Sequence, residues 1–131
     1  MAETARHRNG AEERAWQGVA PTFDRAHLMA QAMQDEVLAA EVLNLFLMQL
    51  PKLLEALAAA ATPEDWHSAA HALKGAAASI GAPRLQSLAA ELEARAFSAG
   101  DPVRQLRLQT VAAAALAFRV AARGAFPGRL A

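Results

Sequence analysis

The segment from Thr62 to Gly81 carries boundary signals of an α-helix at both of its ends. The threonine hydroxyl can cap a helix N-terminus, and Pro63 after it fits the first helical position, with two acids in the first turn. Gly81, with a proline two residues later, is a typical stop signal. The sequence therefore predicts a helix between these two residues.

The apolar residues of this predicted helix all fall on one side. At 100° of rotation per residue they occupy an arc roughly 120° wide. This arc holds Trp66, Ala69, Ala70, Leu73, Ala76, Ala77 and Ile80. The opposite side, centred on His71, holds Glu64, His67, Ser68, Lys74, Gly75 and Ala78. We therefore expect the imidazole of His71 to face solvent on a helix whose other side is buried.

The rest of the chain shows four more helical segments, and no run of alternating β-branched residues predicts a strand. The expected bounds are about Asp24 to Gln34, Asp35 to Ala61, Pro83 to Ser98 and Pro102 to Arg123. Short connections favour antiparallel neighbours. The expected fold is all-α: an antiparallel up-down four-helix bundle with an additional short N-terminal helix. We divide the chain into a polar N-terminal tail (1–20), the bundle (21–123) and a C-terminal tail (124–131).

Helical spacing also predicts which residues of these segments form the core. The candidates are Leu28, Ala32, Met33, Leu38, Val42, Leu45, Phe46, Leu50, Leu53, Leu54, Leu57, Leu85, Leu88, Ala89, Leu92, Leu106, Val111, Leu116 and Val120. Pro51 lies inside the second segment, where it removes one hydrogen bond and clashes with the carbonyl of Leu47. A kink is expected there, and a break into two helices is the alternative.

Composition and charge exclude several classes of protein. The chain has no cysteine, which excludes disulfides, thiol catalysis and cysteine-based zinc sites and suits a reducing cytoplasm. Thirteen basic and thirteen acidic residues give zero net charge, which argues against a broad electrostatic grip on nucleic acid. The stretch from Val37 to Ala61 contains Glu41, Lys52 and Glu55, and charges occur throughout 1–20. We expect neither a membrane span nor a secretory signal.

Two residues beside His71 are unusual for their positions. A mid-helix glycine costs about 1 kcal/mol relative to alanine, so Gly75 requires a reason. It either leaves space for a macromolecule to reach the imidazole or permits a close helix–helix contact. Its place on the polar side favours access. Lys74 is one of only two lysines, and a compact ammonium can follow a phosphoryl group as a point charge. An ordinary solvated lysine is the alternative.

These residues belong to a recognisable pattern. The pattern consists of His71-Ala72-Leu73-Lys74-Gly75 followed by Ser79, Gly81, Leu85, Leu88 and Glu93, with Phe46, Leu50, Leu53, Leu54 and Leu57 on a long helix upstream. It resembles a histidine-containing phosphotransfer (HPt) domain, from about Phe23 to Arg123. The resemblance implies a four-helix bundle whose exposed histidine relays phosphoryl groups between receiver-domain aspartates in a two-component phosphorelay.

The resemblance also implies roles for individual residues. His71 would accept the phosphoryl group. Nε2 is favoured because it is the outer nitrogen of the ring, and Nδ1 is the alternative. Lys74 would stabilise charge and Gly75 would give steric access. We expect His67, Ser68 and Ala78 to border the partner interface, and the apolar contacts to include Leu28 or Val37.

The expected protein is a carrier rather than an enzyme acting alone, in a bacterial cytoplasm. The sequence shows no glycine-rich nucleotide loop and no acidic magnesium cluster. We therefore expect no cofactor in this chain and Mg²⁺ in the partner receiver domain. Receiver domains of response regulators are the expected partners, a hybrid sensor kinase is a further candidate, and the chain is expected to be a monomer.

His67 and His71 have the His-x-x-x-His spacing that can hold a metal, with Glu64 one turn earlier. The other histidines, His7 and His27, lie in the tail and the first segment. A structural zinc site requires four protein ligands, so we expect no metal.

Two other functions remain open on the sequence. One is a degenerate dimerisation and phosphorylation domain of a histidine kinase, where the residue after the histidine is typically acidic. Here that residue is Ala72, which argues against autokinase activity. The other is a non-catalytic helical interaction module that displays a histidine.

Overall fold

A computed structural model describes residues 20–98 and 100–130, and it contains five helices and no strand within that range. The helices are α1 (Arg25–Gln31), α2 (Glu36–Ala59), α3 (Pro63–Ile80), α4 (Pro83–Ala94) and α5 (Pro102–Ala125). The expected all-α bundle with a short N-terminal helix is confirmed. All of the expected N-terminal tail except Ala20 lies outside the described residues.

Side chains cap most of the helix starts, as the sequence predicts for α3. The hydroxyl of Thr62 accepts from the backbone N–H of Asp65 at 3.1 Å. Carboxylates of Asp24, Asp35 and Asp101 accept backbone N–H groups at the starts of α1, α2 and α5. A helix cannot satisfy these first donors internally, so each cap fixes where its helix begins.

Two helices end earlier than the sequence predicts. The first helix stops at Gln31 rather than Gln34, because Met33 and Gln34 take positive φ angles of 54° and 63° in a tight turn before α2. α4 stops at Ala94 rather than Ser98. The chain then turns so that Phe97 packs beside Trp66, with ring centroids 5.8 Å apart. The fifth helix runs two residues beyond Arg123.

α3 packs between α2 and α4 through small side chains. Ala70, Ala77 and Ala89 are fully buried, which permits a close approach of the helix backbones. The indole N–H of Trp66 donates to the carbonyl of Leu92 at 3.0 Å and links α3 to α4. These contacts fix the position of α3 and leave one of its sides open to solvent.

On α5, the aromatic ring of Phe118 determines which side is buried. It meets the rings of Phe23 and Phe46 edge to face, each with centroids 5.4 Å apart. Leu116 and Val120 lie about 160° around the helix from Phe118 and are exposed.

The core assignment from sequence was therefore wrong at several apolar positions. The exposed residues that were expected in the core are Met33, Val42, Leu45, Leu106, Leu116 and Val120. Alanines such as Ala114 and Ala122 occupy the buried side of α5 instead. Leu28 is 1% exposed and is not available as a partner contact, whereas Val37 is 53% exposed.

α2 continues through Pro51 as one helix, so the alternative of a break into two helices is wrong, and the kink expected there stays a prediction. Proline has no N–H to donate to the carbonyl of Leu47. The guanidinium of Arg119 on α5 donates to that carbonyl at 3.4 Å. A side chain from a neighbouring helix thus supplies the donor that the proline removes.

α2 is the one helix in the described part of the chain that is long and apolar enough, by length and composition, to cross a membrane. A membrane span was not expected here because of the charged residues, but these charges are too few to exclude one by composition. The core helix of a bundle has the same composition, and Leu43, Leu50 and Leu57 of α2 are buried here.

Among the described glycines, Gly81 is the one at which an added methyl group would meet a neighbouring atom. It ends α3 with a φ of 82°, and a Cβ atom there would lie 2.6 Å from the backbone oxygen of Asp24. We expect Gly81→Ala to lower the free energy of unfolding by more than about 1 kcal/mol, measured by urea denaturation. Gly124→Ala is the control, because a Cβ there meets nothing within 4 Å and α5 should gain up to about 1 kcal/mol. Equal effects of the two substitutions would contradict the strain at Gly81.

Candidate functional site

The exposed side of α3 carries the residues that the sequence analysis singles out. The side chains of His67 and His71 are each 65% exposed, and Ser68 is exposed as well. Trp66, Leu73 and Ile80 are buried on the other side. The predicted division of this helix into a buried and an exposed side is confirmed.

A carboxylate from α4 joins the site. Oε2 of Glu93 lies 2.6 Å from Nδ1 of His71, and Lys74 donates from Nζ to Oε1 of the same carboxylate. The side chain of Glu93 is only 14% exposed. An ionised carboxylate only accepts hydrogen bonds, so the proton of this pair lies on Nδ1. When the ring is neutral, Nε2 therefore carries the free lone pair.

The hydrogen bonds to Glu93 favour its charged form. The Lys74 ammonium, and after it the His71 imidazole, hold the pKa of the Glu93 carboxyl below its ordinary value, although burial acts in the opposite direction. The carboxylate thus stays ionised at neutral pH. Because the pKa is lowered on folding, its stabilising effect is present above the ordinary carboxyl pKa and is lost as pH falls through the lowered value.

His67 belongs to the same cluster as His71 and Glu93. Its Nε2 is 3.7 Å from Oε2 of Glu93, and its ring stacks on that of His71 with centroids 6.0 Å apart. The ligand atoms of His67, His71 and Glu93 all lie within 4.8 Å of one another. The sequence spacing pointed to Glu64 as the acid near the two histidines. In the structure, the acid grouped with them is Glu93.

Gly75 is exposed, and a Cβ atom added to it would meet nothing within 4 Å. The close helix–helix contact that was one explanation for this glycine is therefore wrong. The absence of a side chain leaves open space one turn beyond His71. Its role in partner access stays a prediction.

Lys74 is half-buried and paired with Glu93, so the freely solvated lysine that was the alternative is also wrong. The Lys74 ammonium and the His71 imidazole contact the same carboxylate, which brings the two groups together. Ala78 is half-buried on the same helix. The expected contacts of His67, Ser68 and Ala78 with a partner stay predictions.

Sequence reasoning assigned no role to Glu93, which appeared only within the HPt resemblance. One signal was present: Glu93 follows the buried residues Ala89 and Leu92 by four and one positions, which places it beside the apolar stripe of α4. An acid in such a position usually has a partner. Which partner it has depends on how α4 packs against α3, and the sequence does not give this packing.

Comparison with known proteins agrees with this geometry. The family model described as Hpt domain matches residues 41–120. The matched segment is more than half of the chain and includes His71, Lys74, Gly75 and Glu93. Comparisons with curated proteins and with solved structures find no match. On the strength of the family match, this chain belongs to the Hpt domain family.

Proposed function

We propose that this chain carries a phosphoryl group on Nε2 of His71 and exchanges it with receiver-domain aspartates. Hpt domains are phosphotransfer carriers of phosphorelays and interact with receiver domains of response regulators. The observation that supports His71 as the carrier here is its hydrogen bond to Glu93 on an exposed helix face.

The hydrogen bond orients the imidazole for this chemistry. The lone pair of Nε2 attacks the phosphorus of an aspartyl phosphate, a P–N bond forms, and the P–O bond to the aspartate breaks. The leaving carboxylate takes the bonding electrons. The proton stays on Nδ1, so the ring gains a positive charge, which the carboxylate of Glu93 stabilises at 2.6 Å. The reverse transfer follows the same path.

Lys74 and Gly75 support the transfer in different ways. The ammonium of Lys74 holds the second oxygen of Glu93 and places a positive charge near the incoming phosphoryl group. The open space at Gly75 lets the aspartate of a receiver approach in line with the ring. We propose that the receiver supplies Mg²⁺ and the acids that bind it.

The surface around His71 is proposed as the receiver interface, with His67, Ser68 and Ala78 at its border and Val37 as an apolar contact. A carrier must release each partner quickly. We therefore propose a monomer in the bacterial cytoplasm with an interface near or below about 1,200 Å² and micromolar or weaker affinity. A hybrid sensor kinase is proposed as a further partner.

Replacement of His71 tests the proposal directly. We expect His71→Gln to abolish labelling by a phosphorylated receiver without changing the helical circular dichroism signal, because Gln offers no nucleophilic nitrogen. His67→Gln is the matched control, since His67 is equally exposed on the same helix, and it should still be labelled. Labelling that persisted in His71→Gln would overturn the assignment. A wild-type chain that accepts no phosphoryl group would favour the non-catalytic interaction module.

A large side chain at Gly75 tests access. We expect Gly75→Leu to slow transfer from a phosphorylated receiver about tenfold or more by obstructing the approach, while intrinsic helix propensity rises. Gly124→Leu adds the same side chain at an exposed position of α5, a helix that carries none of the site residues, and should leave the rate unchanged. A Gly75→Leu rate within about twofold of wild type would contradict the steric role.

Loss of charge at Glu93 tests the positioning of the imidazole. We expect Glu93→Gln to slow transfer about tenfold, because the neutral amide stabilises the charged ring less. The two rates are compared at about pH 8, where the lowered pKa of Glu93 leaves its carboxyl ionised. Glu91→Gln, on the exposed side of α4, is the control. A Glu93→Gln rate within about twofold of wild type at that pH would contradict the assignment.

A further inference from the structure

We propose that His67, His71 and Glu93 form a binding site for Zn²⁺. The site uses three side chains from two helices, and its existence does not depend on phosphotransfer. Sequence spacing alone offered two histidines and a distant acid, which was too few for a metal. The packing of α4 against α3 supplies the third ligand.

The distances fit a zinc ion after small side-chain adjustments. Oε2 of Glu93 lies 2.6 Å from Nδ1 of His71 and 3.7 Å from Nε2 of His67. A tetrahedral zinc ion with bonds of about 2.0–2.1 Å places neighbouring ligand atoms roughly 3.3 Å apart. Both distances thus change by less than about 1 Å, and the ligand nitrogens of the two histidines, which lie within 4.8 Å of each other, also have to come to about 3.3 Å. The side chains of both histidines are 65% exposed, which leaves room for their rings to rotate.

The ligand set is one that zinc accepts. Two imidazoles and one carboxylate leave a fourth position for water, as in zinc sites that keep an open coordination position. Imidazole nitrogens and carboxylate oxygens are both ordinary zinc ligands. The high exposure of both histidines leaves a path from solvent.

Lys74 strengthens the case because it uses the other oxygen of Glu93. Its ammonium donates to Oε1, whereas both histidines face Oε2. A metal ion can therefore take Oε2 while the ion pair with Lys74 remains. Ligating carboxylates in metal sites are commonly held in this way by a second hydrogen bond.

The helices that carry the ligands are already fixed relative to each other. His67 and His71 are separated by one turn of the same helix, and the indole of Trp66 donates to the carbonyl of Leu92, the residue before Glu93. Little backbone order remains to be gained on binding, so the ion meets a largely formed site.

Binding would have a consequence for the proposed phosphotransfer. The ion takes the place of the proton on Nδ1 and withdraws electron density from the ring, so Nε2 becomes a weaker nucleophile. This consequence rests on the proposed function, whereas binding itself does not.

Titration calorimetry with zinc chloride tests the site in the full chain at neutral pH in a buffer that does not bind metals. We expect one ion per chain with micromolar affinity. His67→Gln and Glu93→Gln should each weaken binding at least about tenfold, with folding verified by circular dichroism. Glu64→Gln, Glu91→Gln and His7→Gln are the controls and should change affinity by less than about twofold. Absence of binding in excess zinc, or equal weakening by the controls, would overturn the site.

A transfer assay with and without zinc separates this site from the proposed function. We expect zinc to slow phosphoryl transfer to wild type but not to His67→Gln. Because both chains are tested with the same receiver, any effect of zinc on the receiver itself would slow both. Equal slowing of both chains would contradict the predicted consequence. Failure of transfer in zinc-free buffer would overturn the proposed function, and the calorimetric result would still decide the metal site.

Discussion

The site depends on one carboxylate that is shared between neighbours. Glu93 accepts from Lys74 on one oxygen and from His71 on the other, and His67 lies near the second oxygen. These groups come from two helices, so the cluster exists only where α3 and α4 pack closely. Buried alanines permit that approach, and the indole of Trp66 fixes it through the carbonyl of Leu92. The small side chains in the core are thus required for the cluster around Glu93 to form at the surface.

The sequence predicted α3 well because its signals are local. A threonine cap, a proline and a terminal glycine define its ends, and its apolar residues form one narrow arc. In α5 the apolar residues surround the helix, and contacts of Phe118 with α2 decide which side is buried. Leu116 and Val120 were misassigned for that reason. Glu93 received no role because its partners lie 19 and 22 residues away along the chain.

Gly75 and Lys74 show the same difference between what local sequence signals predict and what helix packing decides. Each residue had two explanations that the sequence could not separate. The structure removes the close-contact explanation for Gly75, since no atom lies within 4 Å of an added Cβ, and the solvated-lysine explanation for Lys74, since its ammonium pairs with Glu93. Both decisions depend on what occupies the space next to α3, which is information about packing rather than about helical phase.

The hydrogen bond from Arg119 to the carbonyl of Leu47 has a consequence for how this fold varies. The guanidinium donates to the carbonyl of Leu47, which lacks a helical donor only because position 51 is proline. In a related chain with a non-proline residue at 51, the backbone N–H of that residue donates to the carbonyl at 47. A donor side chain at position 119 is then no longer needed. Position 119 is then free to become apolar or acidic. In an alignment of relatives, the two positions should therefore change together, although they lie 68 positions apart in the sequence.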